Sequence, residues 1–129
     1  MNITYDAGAL MAAERGDVVM RSRHSDAIDS GMPPIVPSAV IWQVWRNGAR
    51  QAELARLLRT CQIEPIDDAT ARAVGELLGR AGATDGVDAA VVVSAARRGG
   101  VVYTSDPDDL RRLMDCLGPA TTPFLIRAV

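Results

Sequence analysis

Short apolar runs alternate with helix-forming segments five times along this chain. The clearest run, Val101-Val102-Tyr103-Thr104, is followed by a helical segment that Pro107 opens. The runs that predict strands cover residues 3–6, 35–36, 62–66, 101–104 and 124–126. Strands that alternate with helices predict an α/β fold, with a mainly parallel five-stranded sheet between helices in three α/β/α layers. No repeat or linker divides the 129 residues, so we expect a single domain over residues 1–129.

The helical segments between these runs end at ordinary stop signals. One segment covers residues 17–30 and ends at Gly31, and Val18, Val19, Met20 and Ile28 are its expected core contacts. Another runs from Pro37 to a break at residues 47–48, with Trp45 as an expected core residue. The remaining predicted helices cover residues 7–13, 50–59, 67–82, 85–98 and 107–116.

Charge and cysteine usage narrow the possible functions. The formal net charge is −2, whereas a protein that binds nucleic acid through a broad basic surface normally has the opposite balance. A polyanionic substrate would therefore need a local arginine cluster or a bound metal. Cys61 and Cys116 share no motif, which is typical of free thiols in a reducing cytosol. The first residues lack the pattern of a signal peptide, and no apolar run reaches transmembrane length. We therefore expect a cytoplasmic protein that does not interact with membranes.

Two aspartates open the most apolar helical segment of the chain. Asp85 and Asp88 are three residues apart, which places them on one side of a first helical turn. Their mutual repulsion is offset partly by the positive end of the helix dipole, and a divalent cation would offset the rest. An alternative stays open at this point, in which Asp85 or Thr84 caps the helix and Asp88 is an ordinary acid of the first turn.

Two further aspartates follow predicted strands. Asp6 ends the first strand and Asp106 follows the fourth, so both face one crevice if these strands are neighbours in the sheet. Carboxylate oxygens are the ligands that Mg²⁺ or Mn²⁺ takes, and Thr104 and Ser105 are placed to hydrogen-bond a carboxylate, a water or a phosphate. Asp6 is also suited to cap the helix that follows it, and both roles are compatible.

Three segments of the sequence resemble known acidic motifs. Residues 5–10 (YDAGAL), 84–89 (TDGVDA) and 104–110 (TSDPDDL) are similar, in this order, to the motifs of PIN domains. The closest similarity is to the VapC-type ribonuclease toxins of type II toxin–antitoxin systems. The resemblance implies a PIN-like fold and Mg²⁺- or Mn²⁺-dependent endonucleolytic cleavage of RNA. It also implies homodimerisation and inhibition by a cognate antitoxin protein.

The resemblance also implies roles for individual residues. Asp6, Asp88 and Asp106 match the catalytic, metal-binding acids of the family, and Asp85 matches a frequent accessory acid. Asp108 or Asp109 is close enough along the chain to assist, and we assign Asp108 as accessory.

One position departs from the pattern. The family usually has a glutamate in the helix after the second strand, where this chain has Gln43. Glutamine keeps the length and an acceptor oxygen but removes a negative charge, so metal affinity should fall. The departure leaves an alternative open, in which the protein is a catalytically weak module that binds RNA and antitoxin.

Two arginines near Gln43 are candidates for phosphate contacts. Arg46 and Arg50 are our predicted RNA-binding residues, although a solvated helix face would explain them equally well. A receiver-like phosphoryl-transfer domain is a weaker alternative, because the chain has neither paired acids after the first strand nor any lysine.

Overall fold

A computed structural model describes all 129 residues and contains one five-stranded parallel sheet. The strands are β1 (Ile3–Tyr5), β2 (Ile35–Pro37), β3 (Gln62–Glu64), β4 (Gly100–Thr104) and β5 (Phe124–Ala128). Their order in the sheet is β3-β2-β1-β4-β5. The first and fourth strands are therefore neighbours, and they pair in parallel with Tyr5 opposite Tyr103. The predicted parallel five-stranded sheet is confirmed.

The helices form two groups around the sheet. They are α1 (Ala7–Glu14), α2 (Val18–Asp29), α3 (Ser38–Val44), α4 (Ala52–Arg59), α5 (Asp68–Ala81), α6 (Gly86–Arg98) and α7 (Pro107–Met114), with a 3₁₀ turn at Gly48–Arg50. Helix α1 packs against α2 and α4, whereas α6 packs against α5 and α7. The result is the three-layer arrangement that the alternation of elements predicts.

Helix α6 is the central element of the core. It contacts four strands of the sheet as well as α3, α5 and α7. Nine of its thirteen residues are buried, including every residue from Ala89 to Ala96. A helix that is apolar all round in this way is buried on all sides. Asp88 lies in its first turn, half-buried, where the burial of the helix keeps part of the carboxyl group away from water.

The predicted core face of α2 is wrong in part. Met20 is fully buried, but Val18 is 80% exposed and Val19 is 56% exposed, and Ile28 lies at the surface. Only Met20 and Ala27 of this helix are buried, so α2 packs against α1 along a narrow stripe. The prediction of a buried Trp45 is also wrong, since its side chain lies over Gly48 at the surface.

Neither cysteine forms a disulfide, which agrees with the prediction of free thiols. None of the helices combines the length and apolarity that crossing a bilayer requires.

Candidate functional site

The carboxyl ends of β1 and β4 bring Asp6 and Asp106 to the same edge of the sheet. The backbone N–H of Asp6 donates to the carbonyl of Tyr103 at 3.3 Å, which extends the pairing of the two strands by one residue. Gly8 lets the first turn of α1 lie directly against the loop after β4, because a Cβ there would stand 2.8 Å from the backbone nitrogen of Ser105. Sequence reasoning missed this role of Gly8, although a glycine in a first turn is a signal of close approach.

Asp6 is buried and held by two hydrogen bonds. Its Oδ1 accepts from the backbone N–H of Ala9 at 3.0 Å and so caps α1, while its Oδ2 accepts from the hydroxyl of Thr104. The Thr104 hydroxyl oxygen accepts in turn from the N–H of Asp106 at 2.9 Å. Burial raises the pKa of Asp6, against the lowering effect of these hydrogen bonds. Thr104 therefore links the two acids, and the capping role expected for Asp6 is confirmed.

The start of α6 contributes the next two acids. Asp85 is the N-cap: its Oδ1 accepts from the N–H groups of Val87 at 3.1 Å and Asp88 at 3.0 Å. Burial, then the charges of Asp85, Asp6, Asp106 and Asp109, raise the pKa of Asp88 to about 6. The cap interpretation of Asp85 is thus correct, and the same carboxylate adds negative charge beside Asp88.

The last acids lie at the start of α7. Asp106 is exposed, and the neighbouring carboxyl group of Asp109 raises its pKa. Asp109 also forms an ion pair with Arg112, with 2.9 Å between Oδ1 and Nη2. Asp108 projects away instead: its side chain is 83% exposed and pairs with Arg111.

A cleft of about 540 Å³ adjoins these acids, between the turn that precedes α6 and helix α7. Asp85, Asp88, Asp109 and Arg112 form its polar wall. Leu113 and Cys116 contribute to its apolar part. Its lining therefore combines acids with apolar side chains, whereas Asp6 and Asp106 do not line it.

The chemistry of the acids fits a hard divalent cation. They are carboxylates that repel one another, and that repulsion contributes to the raised pKa of Asp88. No three His, Cys, Asp or Glu side chains are arranged to hold a metal ion together. Mg²⁺ usually keeps several of its waters and binds directly to one or two carboxylates, so the donor set fits such an ion without a closed protein cage.

The other predicted residues lie at the end of β4, on α3 and in the segment that follows α3. Ser105 is exposed at the end of β4, and Gln43 is exposed on α3. Arg46 follows α3 and donates through Nη1 to the carbonyl of Trp45 at 3.0 Å, while Arg50 is exposed at the end of the 3₁₀ turn. The assignment of Arg46 and Arg50 to RNA binding stays a prediction.

The single histidine has a structural position away from the acids. His24 Nδ1 shares a hydrogen bond with the Tyr5 hydroxyl at 3.1 Å, and its Nε2 shares one with the Thr60 hydroxyl at 2.7 Å. These bonds join α2 to β1 and to the end of α4. Burial lowers the pKa of His24.

Comparison with solved structures identifies the fold. No protein-family model matches the sequence, and no curated protein matches it. The chain is similar over 100% of its length to a chain of the DNA-bound VapBC2 structure from Rickettsia felis, of which it covers 99%, with a TM-score of 0.72 and 13% identity. It is also similar over 99% of its length to a chain of the DNA-bound VapBC structure from Salmonella typhimurium, of which it covers 98%, with a TM-score of 0.66 and 16% identity. At the level of the fold, the resemblance to VapC-type PIN domains is confirmed.

Proposed function

We propose that this protein is a metal-dependent endoribonuclease and the toxin of a type II toxin–antitoxin module. The observation that supports this most strongly is the pairing of β1 with β4, which places Asp6 and Asp106 at one edge of the sheet, where Thr104 links them. Asp88, at the start of α6, is near enough for the charges of both acids to raise its pKa. Carboxylates clustered beside an open cleft are suited to hold a cation against a phosphodiester.

In this proposal each acid has a role that follows from its surroundings. Asp6, Asp88 and Asp106 would hold Mg²⁺ or Mn²⁺, directly or through waters that the ion keeps, and the ion would supply Lewis-acid polarisation of a phosphate and activation of a water. Asp6 is fixed in place by Ala9 and Thr104. Asp106 is exposed and Asp88 is half-buried, so both can adjust to a ligand. Asp85 adds negative charge while its Oδ1 caps α6.

The proposed partners follow from the structural neighbours. Both solved structures named above are VapBC complexes, which supports the proposal of an antitoxin protein as the partner of this chain. We propose in addition that the protein acts on RNA in the cytoplasm, forms a homodimer, and inhibits growth until its antitoxin binds.

The test is cleavage of a structured RNA pool by the purified protein, with Mg²⁺, Mn²⁺ or EDTA. We expect cleavage that requires metal and that disappears in Asp6→Ala and Asp106→Ala. Asp68→Asn, which changes an exposed acid of α5, is the matched control and should cut as the wild type does. Metal-dependent cutting and growth inhibition that survive in Asp6→Ala and Asp106→Ala would refute the proposal.

Gln43 favours a second candidate, a catalytically weak module that binds RNA and antitoxin. If the missing carboxylate limits catalysis, Gln43→Glu should increase Mn²⁺-dependent cleavage of the same RNA pool. A folded wild-type protein that cuts no RNA with any metal, but still binds a partner, would support this second function.

A further inference from the structure

Both tryptophans of the chain lie at the surface, whereas its other large aromatic residues are buried. Trp42 is 61% exposed and Trp45 is 40% exposed. Tyr5, Tyr103 and Phe124 are at most 8% exposed, and they complete the chain's set of Phe, Tyr and Trp residues. Nearly all the accessible surface of these residue types is therefore concentrated at the C-terminal end of α3.

Hydrogen bonds of one glutamine side chain hold the segment after α3 in place. Gln51 Oε1 accepts from the backbone N–H of Arg46 at 2.8 Å and from that of Asn47 at 3.0 Å. Its Nε2 donates to the carbonyl of Val44 at 2.7 Å. The connection between α3 and α4 is thus fixed by its own hydrogen bonds, although most of it is exposed to solvent.

The two tryptophans are neighbours across the end of this helix. The backbone N–H of Trp45 donates to the carbonyl of Ile41, so Trp45 continues the helical arrangement, in which residues i and i+3 lie side by side. Its ring lies over Gly48, where a Cβ would stand 2.6 Å from the ring atom Cζ2. Arg46 Nη1 donates to the backbone carbonyls of both tryptophans. Because a fixed segment presents these rings, a ligand that stacks on them orders little of the chain when it binds.

This surface also carries positive charge and no negative charge of its own. Residues 30–52 contain Arg46 and Arg50 but no Asp or Glu. Neither arginine forms an ion pair. Guanidinium groups without a carboxylate partner suit phosphate. The charge of this surface is therefore complementary to a polyanion, although the net charge of the whole chain is −2.

The surface begins at the same edge of the sheet as the acids. Thr4 in β1 pairs with Ile35 in β2, so Asp6 and Pro37, each two residues further along, are level with each other. Helix α3 starts at the next residue, and Trp42 follows four residues after that start, which is about 6 Å along the helix axis. An RNA strand that lies on the tryptophans can therefore also reach the acids.

We propose that Trp42 and Trp45 are a stacking surface for unpaired RNA bases, and that Arg46 and Arg50 bind the phosphates next to those bases. This rests on the proposed action on RNA and assigns single-stranded RNA as its substrate class. Indole rings stack on bases of any sequence, because every base has a π face. Along an RNA duplex those faces are covered by the neighbouring base pairs, so a duplex offers the tryptophans nothing to stack on.

The experiment is a titration of the full-length protein in EDTA with an unstructured single-stranded RNA oligonucleotide, and with the duplex that this strand forms with its complement. EDTA prevents metal-dependent cleavage and makes the measured binding independent of the proposed cation. The chain has no tryptophan besides Trp42 and Trp45, so quenching of its tryptophan fluorescence reports stacking at this surface directly. We expect the single strand to quench this fluorescence and to bind roughly 10-fold more tightly than the duplex.

Substitutions separate base stacking from phosphate binding. Trp42→Ala should weaken binding of the single strand roughly 10-fold and leave binding of the duplex unchanged, whereas Trp42→Phe should keep most of the affinity. Arg50→Gln should weaken the binding of both RNAs and make it less dependent on salt, because one phosphate contact is lost. Leu125→Ala and Arg127→Gln change an exposed apolar and an exposed cationic side chain of β5. They are the matched controls and should bind both RNAs as the wild type does.

The outcomes separate the stacking surface from the proposed nuclease. Equal affinity for the single strand and the duplex, or unchanged affinity in a Trp42→Ala variant that thermal unfolding shows to be folded, would overturn the stacking surface. So would a Trp42→Ala variant that loses only self-association in sedimentation velocity, because a second copy of the chain would then cover the tryptophans. RNA cleavage without fluorescence quenching would refute the stacking surface and leave the nuclease proposal standing. Quenching by the single strand, in a protein that cuts no RNA with any metal, would do the reverse.

Discussion

Replacing Asp88 by Asn should stabilise the fold at neutral pH while it removes RNA cleavage. Burial and four neighbouring acids raise the pKa of Asp88 to about 6 in the folded protein, from an ordinary value of 3.8. The folded state therefore binds this proton more tightly than the unfolded state does. The resulting stabilisation is fully present below pH 3.8 and is lost as the pH rises through about 6. At neutral pH the ionised Asp88 destabilises the fold, and an uncharged Asn does not.

The size of the effect follows from the difference between the two pKa values. The full difference between 3.8 and about 6 corresponds to about 3 kcal/mol. Asp88 is only half-buried, so solvent screening reduces this to about 1 kcal/mol. The loss of a negative charge in the first turn of α6 acts in the opposite direction, by about 0.5 kcal/mol. We expect a net gain of roughly 0.5 kcal/mol in the free energy of unfolding.

The assay is urea unfolding of wild type and Asp88→Asn in EDTA, at about pH 7.5 and about pH 4. The gain should appear at the higher pH and shrink strongly at the lower one, because wild-type Asp88 is then protonated in the folded state. Asp68→Asn is the control, since Asp68 is an exposed first-turn acid of α5 that pairs with Arg72, and it should show no gain. Loss of stability in Asp88→Asn at pH 7.5, or an equal gain at both pH values, would refute the reasoning.

Three further substitutions test two supports of the site and one of the fold. Gly8→Ala should lower the free energy of unfolding by about 1–3 kcal/mol, because its Cβ would meet the loop after β4. The control is Gly79→Ala on α5, where a Cβ meets nothing, and it should raise the free energy of unfolding by about 0.5–1 kcal/mol. Equal effects of the two substitutions would contradict the close approach of α1 to the loop after β4. Thr104→Val removes the donor to the buried Asp6 and should cost about 1–3 kcal/mol, whereas Thr104→Ser should restore most of it in the same unfolding assay. The pKa of His24 is lowered by burial, so wild-type stability should fall as the pH decreases below about 6.5, and His24→Gln should show less of this fall in melting curves.

The local features of the fold could be predicted from the sequence because they depend on short-range chemistry. The strands and helices follow from hydrophobic periodicity, and Asp6 and Asp85 cap helices because a short carboxylate reaches the free N–H groups of a first turn. Pro107 opens α7 for a similarly local reason, since its fixed φ suits a first helical turn.

Other properties depend on how distant segments pack, and no local pattern decides them. The inward face of α2 was predicted wrongly for Val18 and Val19, because contacts with distant segments, α1 among them, determine which stripe of α2 is covered. The burial of Leu113 fixes the rotation of α7 about its own axis. Asp109 rather than Asp108 therefore borders the cleft.

The sequence by itself determined which acids are available and in what order they follow the elements of the chain. Only the tertiary structure decided that β1 pairs with β4. Because of that pairing, the Thr104 hydroxyl group bridges the Asp6 carboxylate and the backbone N–H of Asp106. The physical reason is that the strand pairing and the near-complete burial of α6 are cooperative, long-range consequences of packing. Those same contacts bring like charges together at one edge of the sheet, and they raise the pKa of Asp88 to about 6.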